Sequence, residues 1–144
     1  MFSLHPQLAK DSRVVGDFPL CRLLLIRDQQ YPWFVLVPRR EGIRELYELS
    51  FEDQQQYFAE SLNVSRELMR VFRGEKLNVA ALGNMVPQLH IHHIIRYSND
   101  AAWPGPVWGA VPMRDYDKAS LDALIERVSQ CDFVDFQASP TLSA

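Results

Sequence analysis

The chain has 144 residues, 47% of them hydrophobic and 23% charged, the values of one ordinary globular domain large enough for a genuine core. A net charge of −3 leaves no overall basic footprint for coating nucleic acid, although local donors can still bind a nucleotide. No apolar run approaches the ~20 residues of a membrane span, the N-terminus lacks the pattern of a signal peptide, and Cys21 and Cys131 form no CxxC pair. A cytoplasmic protein with neither a membrane nor a nucleic-acid partner is expected.

The start, to about Gly16, mixes polar and apolar residues and holds at most a short helix. Leu20 to Ile26 suits a strand, and the polar Arg27-Asp28-Gln29-Gln30 ends it. Trp33 to Val37 is a second strand, closed by Pro38, and the short link makes the pair an antiparallel hairpin. Ser50 offers a helix N-cap, with Glu52 and Asp53 in the first turn. Phe51, Phe58, Leu62, Leu68, Val71 and Phe72 then recur near helical spacing up to Gly74, a natural left-handed stop. Leu77 to Leu82 reads as a strand, Gly83-Asn84 as a turn and Val86 to Ile95 as a further strand. Trp103 to Gly109 is a loop, and a last helix runs from about Lys118 to Gln130, capped by Asp117 or Ser120. The order implies an α+β fold with one antiparallel sheet and helices packed on it.

The densest chemistry lies in Gln88-Leu89-His90-Ile91-His92-His93-Ile94-Ile95-Arg96, which carries three of the four histidines. Alternation along a strand puts Gln88, His90 and His92 on one face and Leu89, Ile91 and His93 on the other. Burying imidazoles without partners costs roughly 1–3 kcal/mol each, so the row is either a satisfied structural network or a site. An H-x-H pair also chelates zinc, but no Cys, Asp or Glu sits nearby in sequence to complete a ligand set, and no metal or cofactor is expected. His93, turned away, reads as a core or interface histidine.

Gln88-Leu89-His90-Ile91-His92-His93-Ile94 resembles the H-φ-H-φ-H-φ-φ signature of the histidine triad (HIT) superfamily, φ being apolar. With Gln88 in the first position, His90 is the second triad histidine and His92 the third. That register also matches Gly83-Asn84-Met85-Val86 to the family's Gly-Gln-Ser/Thr-Val turn, and Asn78 to the Asn entering the preceding strand. Trp33 to Arg40 resembles H-φ-φ-φ-φ-P-K/R. The resemblance is strongest over residues 20–97, with 98–144 as a C-terminal extension of a single domain spanning 1–144. It implies a HIT-like fold with about five strands, one long helix and one C-terminal helix, and it implies a homodimer joined edge to edge. Within the superfamily the chain is most similar to short bacterial members of the diadenosine tetraphosphate hydrolase type.

The resemblance implies a hydrolase or transferase acting at the α-phosphate of a purine nucleotide, with a dinucleoside polyphosphate or a nucleoside phosphoramidate as substrate. Carried over, His90 attacks phosphorus and forms a covalent nucleotidyl-imidazole. The chemistry is sound: imidazole is largely neutral and nucleophilic near pH 7, and a carbonyl accepting from Nδ1–H would aim Nε2. His92 is expected as a charge-stabilising imidazolium donor that helps protonate the leaving group, and Gln88 as a neutral hydrogen-bonding group beside the leaving group. Asn84, Asn78, Asp28 (for ribose) and Trp33 are the expected substrate contacts. Gln88, Trp33 and Met85 replace family residues, so a nucleotide-binding module with little turnover is the alternative, and a metal-binding protein a third reading.

Overall fold

The runs on either side of Arg27-Asp28-Gln29-Gln30 contain nothing that resists extended backbone. In the computed structural model, which describes residues 1–140, they pair as antiparallel strands. In chain order the elements are α1 (Pro6–Asp11), β1 (Ser12–Asp17), β2 (Cys21–Ile26), β3 (Trp33–Pro38), a 3-10 turn at Leu46–Glu48, α2 (Phe51–Phe72), β4 (Lys76–Ala80), β5 (Ile91–Arg96), α3 (Lys118–Val128) and β6 (Gln137–Ala138). The strands form one sheet in the order β4-β5-β3-β2-β1-β6, antiparallel at every pairing. The fold is α+β, as expected, with six strands among the described residues rather than about five. Residues 141–144 of the expected single domain lie outside them.

β1 was legible only as part of a mixed segment, because a bulge between Val14 and Gly16 breaks its alternation. A Cβ on Gly16 would lie 2.5 Å from the carbonyl oxygen of Gln137, so glycine is what lets β6 close on this edge.

α2 begins where Ser50 Oγ accepts from the amide of Asp53, and its acidic first turn complements the helix dipole. Of the apolar row read from the sequence, Leu68 and Phe72 face inward. The buried residues are Tyr57, Glu60, Ser61, Val64, Leu68 and Phe72, while Phe51, Phe58 and Leu62 face outward. Glu60 is admitted because its carboxylate accepts from the amides of Leu20 and Cys21, both at 2.8 Å, which docks the helix on the start of β2. The left-handed stop also differs: Arg73 holds it, at φ 51°. Gly74 instead serves close approach, since a Cβ there would meet Ile95 Cγ2 at 2.5 Å. α3 is capped by Asp117, one of the two caps expected, and ends at Val128.

The histidine strand is shorter than expected. β5 starts at Ile91, and residues 86–90 approach it as an irregular run. The Leu89 amide donates to the Ile43 carbonyl rather than to a sheet neighbour, which holds that run off the ladder.

The sheet separates two cores. One, under α2 and α3, gathers Leu23, Leu25, Phe34, Leu36, Leu89, Ile91 and Ile95 with Val64, Leu68 and Phe72. The other gathers Leu24, Ile26, Trp33, Val35, Val37 and Ile94 beneath α1, Tyr31 and Val107, with Phe2, Leu4 and Trp108 at its margin. No helix among the described residues is long and apolar enough to cross a membrane.

Candidate active site

Strand alternation holds through β5 and sorts the histidines as expected. His93 faces α2, where its Nε2 lies 2.8 Å from Ser61 Oγ and its Nδ1 lies 3.0 Å from the carbonyl of Ile91. A carbonyl can only accept, so the proton is on Nδ1 and Nε2 takes the serine hydroxyl's hydrogen. Burial pushes this imidazole down to about 4, against the opposing pull of the Ile91 carbonyl, and it is a satisfied core residue.

His90 and His92 lie on the opposite side, 8% and 7% exposed, so only their edges reach solvent. Their ring centroids are 5.1 Å apart. His90 Nδ1 lies 2.7 Å from the carbonyl oxygen of Gln88, which must accept, so the neutral ring carries its proton on Nδ1 and presents Nε2 as an acceptor. His92 is held in the reverse sense. The indole Nε1–H of Trp33, a donor only, reaches His92 Nδ1 at 2.9 Å, and the neutral ring therefore carries its proton on Nε2. Burial, with His90 and His93 nearby, pushes His92 down to about 4. The imidazolium expected at His92 is thus corrected: a second proton on Nδ1 would confront the indole N–H. Trp108 completes the wall, 5.0 Å from the His92 ring and 5.9 Å from that of Trp33. Among the described residues, neither Nε2 has a protein hydrogen-bond partner.

The other expected site residues go elsewhere. Gln88 enters through its main chain alone. Its side-chain Oε1 accepts from the amide of His5 at 2.8 Å, and its Nε2 donates to the Ser3 carbonyl at 2.9 Å, clasping the N-terminal segment. Asn78 Oδ1 accepts from Arg96 Nη1 at 2.7 Å. Arg96, which is fully buried, also pairs with Asp100, donates to the carbonyl of Gly105 and packs between the rings of Tyr31 and Trp103, so it pins the loop that leads to Trp108. Burial would raise the Asp100 carboxyl, but Arg96 and the amides of Tyr97 and Ala102 outweigh it and hold it at about 2. Asp28 is 2% exposed and accepts from Gln30 and from the amide of Arg114, beneath the 112–115 segment. Asn84 stands exposed in the turn between β4 and β5 and makes no hydrogen bond to the histidines. Trp108 is the site residue that the sequence placed only in a loop. Its two-tryptophan loop was the available signal. No group of three or more His, Cys, Asp or Glu side chains comes together as a metal-ligand set among the described residues.

A family model described as the HIT domain matches residues 7–99. The chain belongs to the HIT family. It is similar to a solved histidine triad protein of Marinobacter aquaeolei, with 51% identity over 89% of this chain and 93% of that one and a TM-score of 0.87. It is similar also to those of Bradyrhizobium japonicum (43% identity, 90% and 97% covered, TM-score 0.88) and Sinorhizobium meliloti (36%, 91% and 97%, TM-score 0.88). No match is found among curated proteins. HIT proteins are in general nucleotide-binding hydrolases and transferases. In this HIT chain the two histidines that face the site come with a free acceptor nitrogen on one and a free donor N–H on the other.

Proposed function

We propose that this HIT protein transfers a nucleotidyl group at the α-phosphate through His90, hydrolysing a purine nucleotide derivative by way of a nucleotidyl-histidine. The observation that carries the reading is the 2.7 Å bond from His90 Nδ1 to the Gln88 carbonyl, which leaves Nε2 as a free, aimed nucleophile. The Nε2–H of His92 is the donor beside it, a group of the kind typically worth ~3–4 kcal/mol to a developing charge. Trp33 and Trp108 supply apolar walls that keep the pair dry. For substrate contacts the proposal keeps Asn84, exposed in its turn. Asp28 and Asn78 would reach substrate only by exchanging the partners they now hold. The cytoplasmic location and a homodimer belong to the same proposal.

The test is turnover of diadenosine tetraphosphate and of a fluorogenic adenosine phosphoramidate, with intact-mass detection of a nucleotidyl adduct. His90→Ala is expected to abolish both turnover and adduct, and turnover that persists in that variant overturns the assignment. The engagement of both Gln88 amide atoms favours one second reading, a nucleotide-binding module with little turnover, because the first triad position then offers nothing to the leaving group. Saturable AMP binding without turnover would establish it.

A further inference from the structure

The indole of Trp33 does more than line the site. An indole nitrogen has one hydrogen and no lone pair to offer, so the 2.9 Å contact with His92 Nδ1 has one polarity only. His90, two residues earlier, is bonded through the same ring position to an oxygen that has no hydrogen to give. When neutral, two histidines of identical chemistry are therefore held in opposite tautomers by partners of fixed polarity.

We infer that Trp33 is a positioning residue that locks His92 as a neutral Nε2–H donor, so that the site contains a nucleophile and a hydrogen-bond donor but no group that can hand a proton to the leaving group. Resting on the α-phosphate reading above, this assigns the substrate class: derivatives whose leaving group departs as a stable anion, such as a phosphoanhydride, rather than as an amine or alkoxide.

The surroundings of His92 agree. On β5 its titratable neighbours are His90, 5.1 Å away between ring centroids, and His93 on the far face. From β3 it faces Trp33 and is paired with Val35, from β4 it is paired with Ala80, and from the loop after β5 it faces Trp108. No carboxylate is among these groups to favour an imidazolium. The first triad position cannot substitute, since the Gln88 amide is neutral and both its atoms are bonded to the N-terminal segment.

The reaction balances without an acid. His90 Nε2 forms a bond to the α-phosphorus as the bond from phosphorus to the leaving oxygen breaks, and that oxygen departs with the electron pair as a phosphate anion. His92 Nε2–H donates a hydrogen bond to a phosphate oxygen and keeps its proton. Water then attacks phosphorus, the P–N bond breaks with its pair returning to Nε2, and the proton from water passes to solvent. An amine leaving group would need a proton at the first step. General-acid assistance of the kind missing here is typically worth about 10²–10⁴-fold.

Two measurements on the full chain test this. Long-range ¹H–¹⁵N correlation of the histidine rings is expected to show His92 protonated on Nε2 alone from pH 8 down to about pH 5, and a Nδ1–H tautomer or an imidazolium in that range overturns the lock. Hydrolysis of AMP aryl esters with increasingly basic phenols is expected to slow steeply, and the phosphoramidate of an alkyl amine to react at least about 10²-fold more slowly than diadenosine tetraphosphate. Equal rates for the two overturn the substrate assignment. Trp33→Phe, checked for folding by circular dichroism, is expected to release Nδ1, mix the tautomers and raise the His92 titration, with burial still holding it below its ordinary value. In that variant the amine substrate should gain on the anhydride as pH falls, and an unchanged ratio and unchanged ring spectrum overturn the role of Trp33. If the wild-type chain turns nothing over yet shows Nε2–H, the proposed reaction fails and the lock stands. Turnover with a Nδ1–H ring overturns the lock and leaves the reaction standing.

Discussion

At His90 and His93 the ring nitrogen nearest the backbone meets the carbonyl two residues back and at His92 an indole N–H, and the partners of both nitrogens decide what each ring can do. A carbonyl makes His90 an acceptor toward the site, an indole makes His92 a donor, and a carbonyl with a serine hydroxyl consumes both nitrogens of His93. His92 and His93 are both held near 4, well below the ordinary histidine value, mainly by burial. The unfolded chain therefore binds more protons than the native one between about pH 6.5 and 4. The contribution of the neutral rings is complete above pH 6.5 and drains away as pH falls toward 4, by on the order of 3 kcal/mol for each. Urea midpoints should accordingly fall steadily from pH 7 to pH 4.5, and a flat profile would sink this account. Gln88 behaves differently, because what aims His90 is its carbonyl. Gln88→Ala is expected to keep that bond, lose the clasp on Ser3 and His5, and cost about 1–3 kcal/mol for the two hydrogen bonds. A nucleotidyl adduct should still form on His90 if that nucleophile is correct, and its loss in a folded Gln88→Ala protein would return the side chain to the chemistry. The face on which each histidine lies was legible from alternation alone. The tautomer of His92 was not, since it depends on Trp33, 59 positions away.

Among the elements, α2 shows most plainly what a one-dimensional pattern leaves out. Its start and length follow from Ser50 and the apolar spacing, and those were legible. Its inner face was legible only at Leu68 and Phe72. Glu60 and Ser61 look like surface residues until the amides of Leu20 and Cys21 and the His93 ring supply their partners. The helix end carries a similar displacement by one residue. A glycine near a helix C-terminus ordinarily takes the left-handed position, yet here Arg73 bears that strain and Gly74 makes room for Ile95 and Met69. Two opposite substitutions separate these jobs. Arg73→Gly, at an exposed position, should raise stability by roughly 0.5–1 kcal/mol. Gly74→Ala should lower it by about 1–3 kcal/mol, because Ile95 is fully buried and cannot give way. Chemical denaturation of the two variants reads both, and a stabilising Gly74→Ala would show that the helix end is governed by backbone freedom instead.

At the scale of the whole molecule, the sheet has one covered end and one open one. β6 shields only part of β1, while β4 forms the other edge with Val79 outward and Leu82 just beyond it, 49% and 47% exposed. An open edge beside apolar side chains invites a further strand, and native proteins commonly pair or cover such edges. α2 touches β4, and its outward stripe of Phe51, Phe58 and Leu62 falls within about 40° on one helical face. Such a stripe is costly to leave in water. A second copy with the same edge and stripe satisfies both at once under two-fold symmetry, which is the support on this molecule for the proposed homodimer. The sequence pattern misled about the inner face because two apolar faces are superposed in one helix, one on the core and one turned outward. Multi-angle light scattering on the full chain is expected to give twice the 16.7 kDa of the single chain. Phe58→Glu with Leu62→Glu should return it to the monomer mass while leaving the core face of α2, and with it the Ser61 to His93 contact, undisturbed. A wild-type chain that runs as a monomer at micromolar concentration removes the dimer and leaves the stripe without a partner.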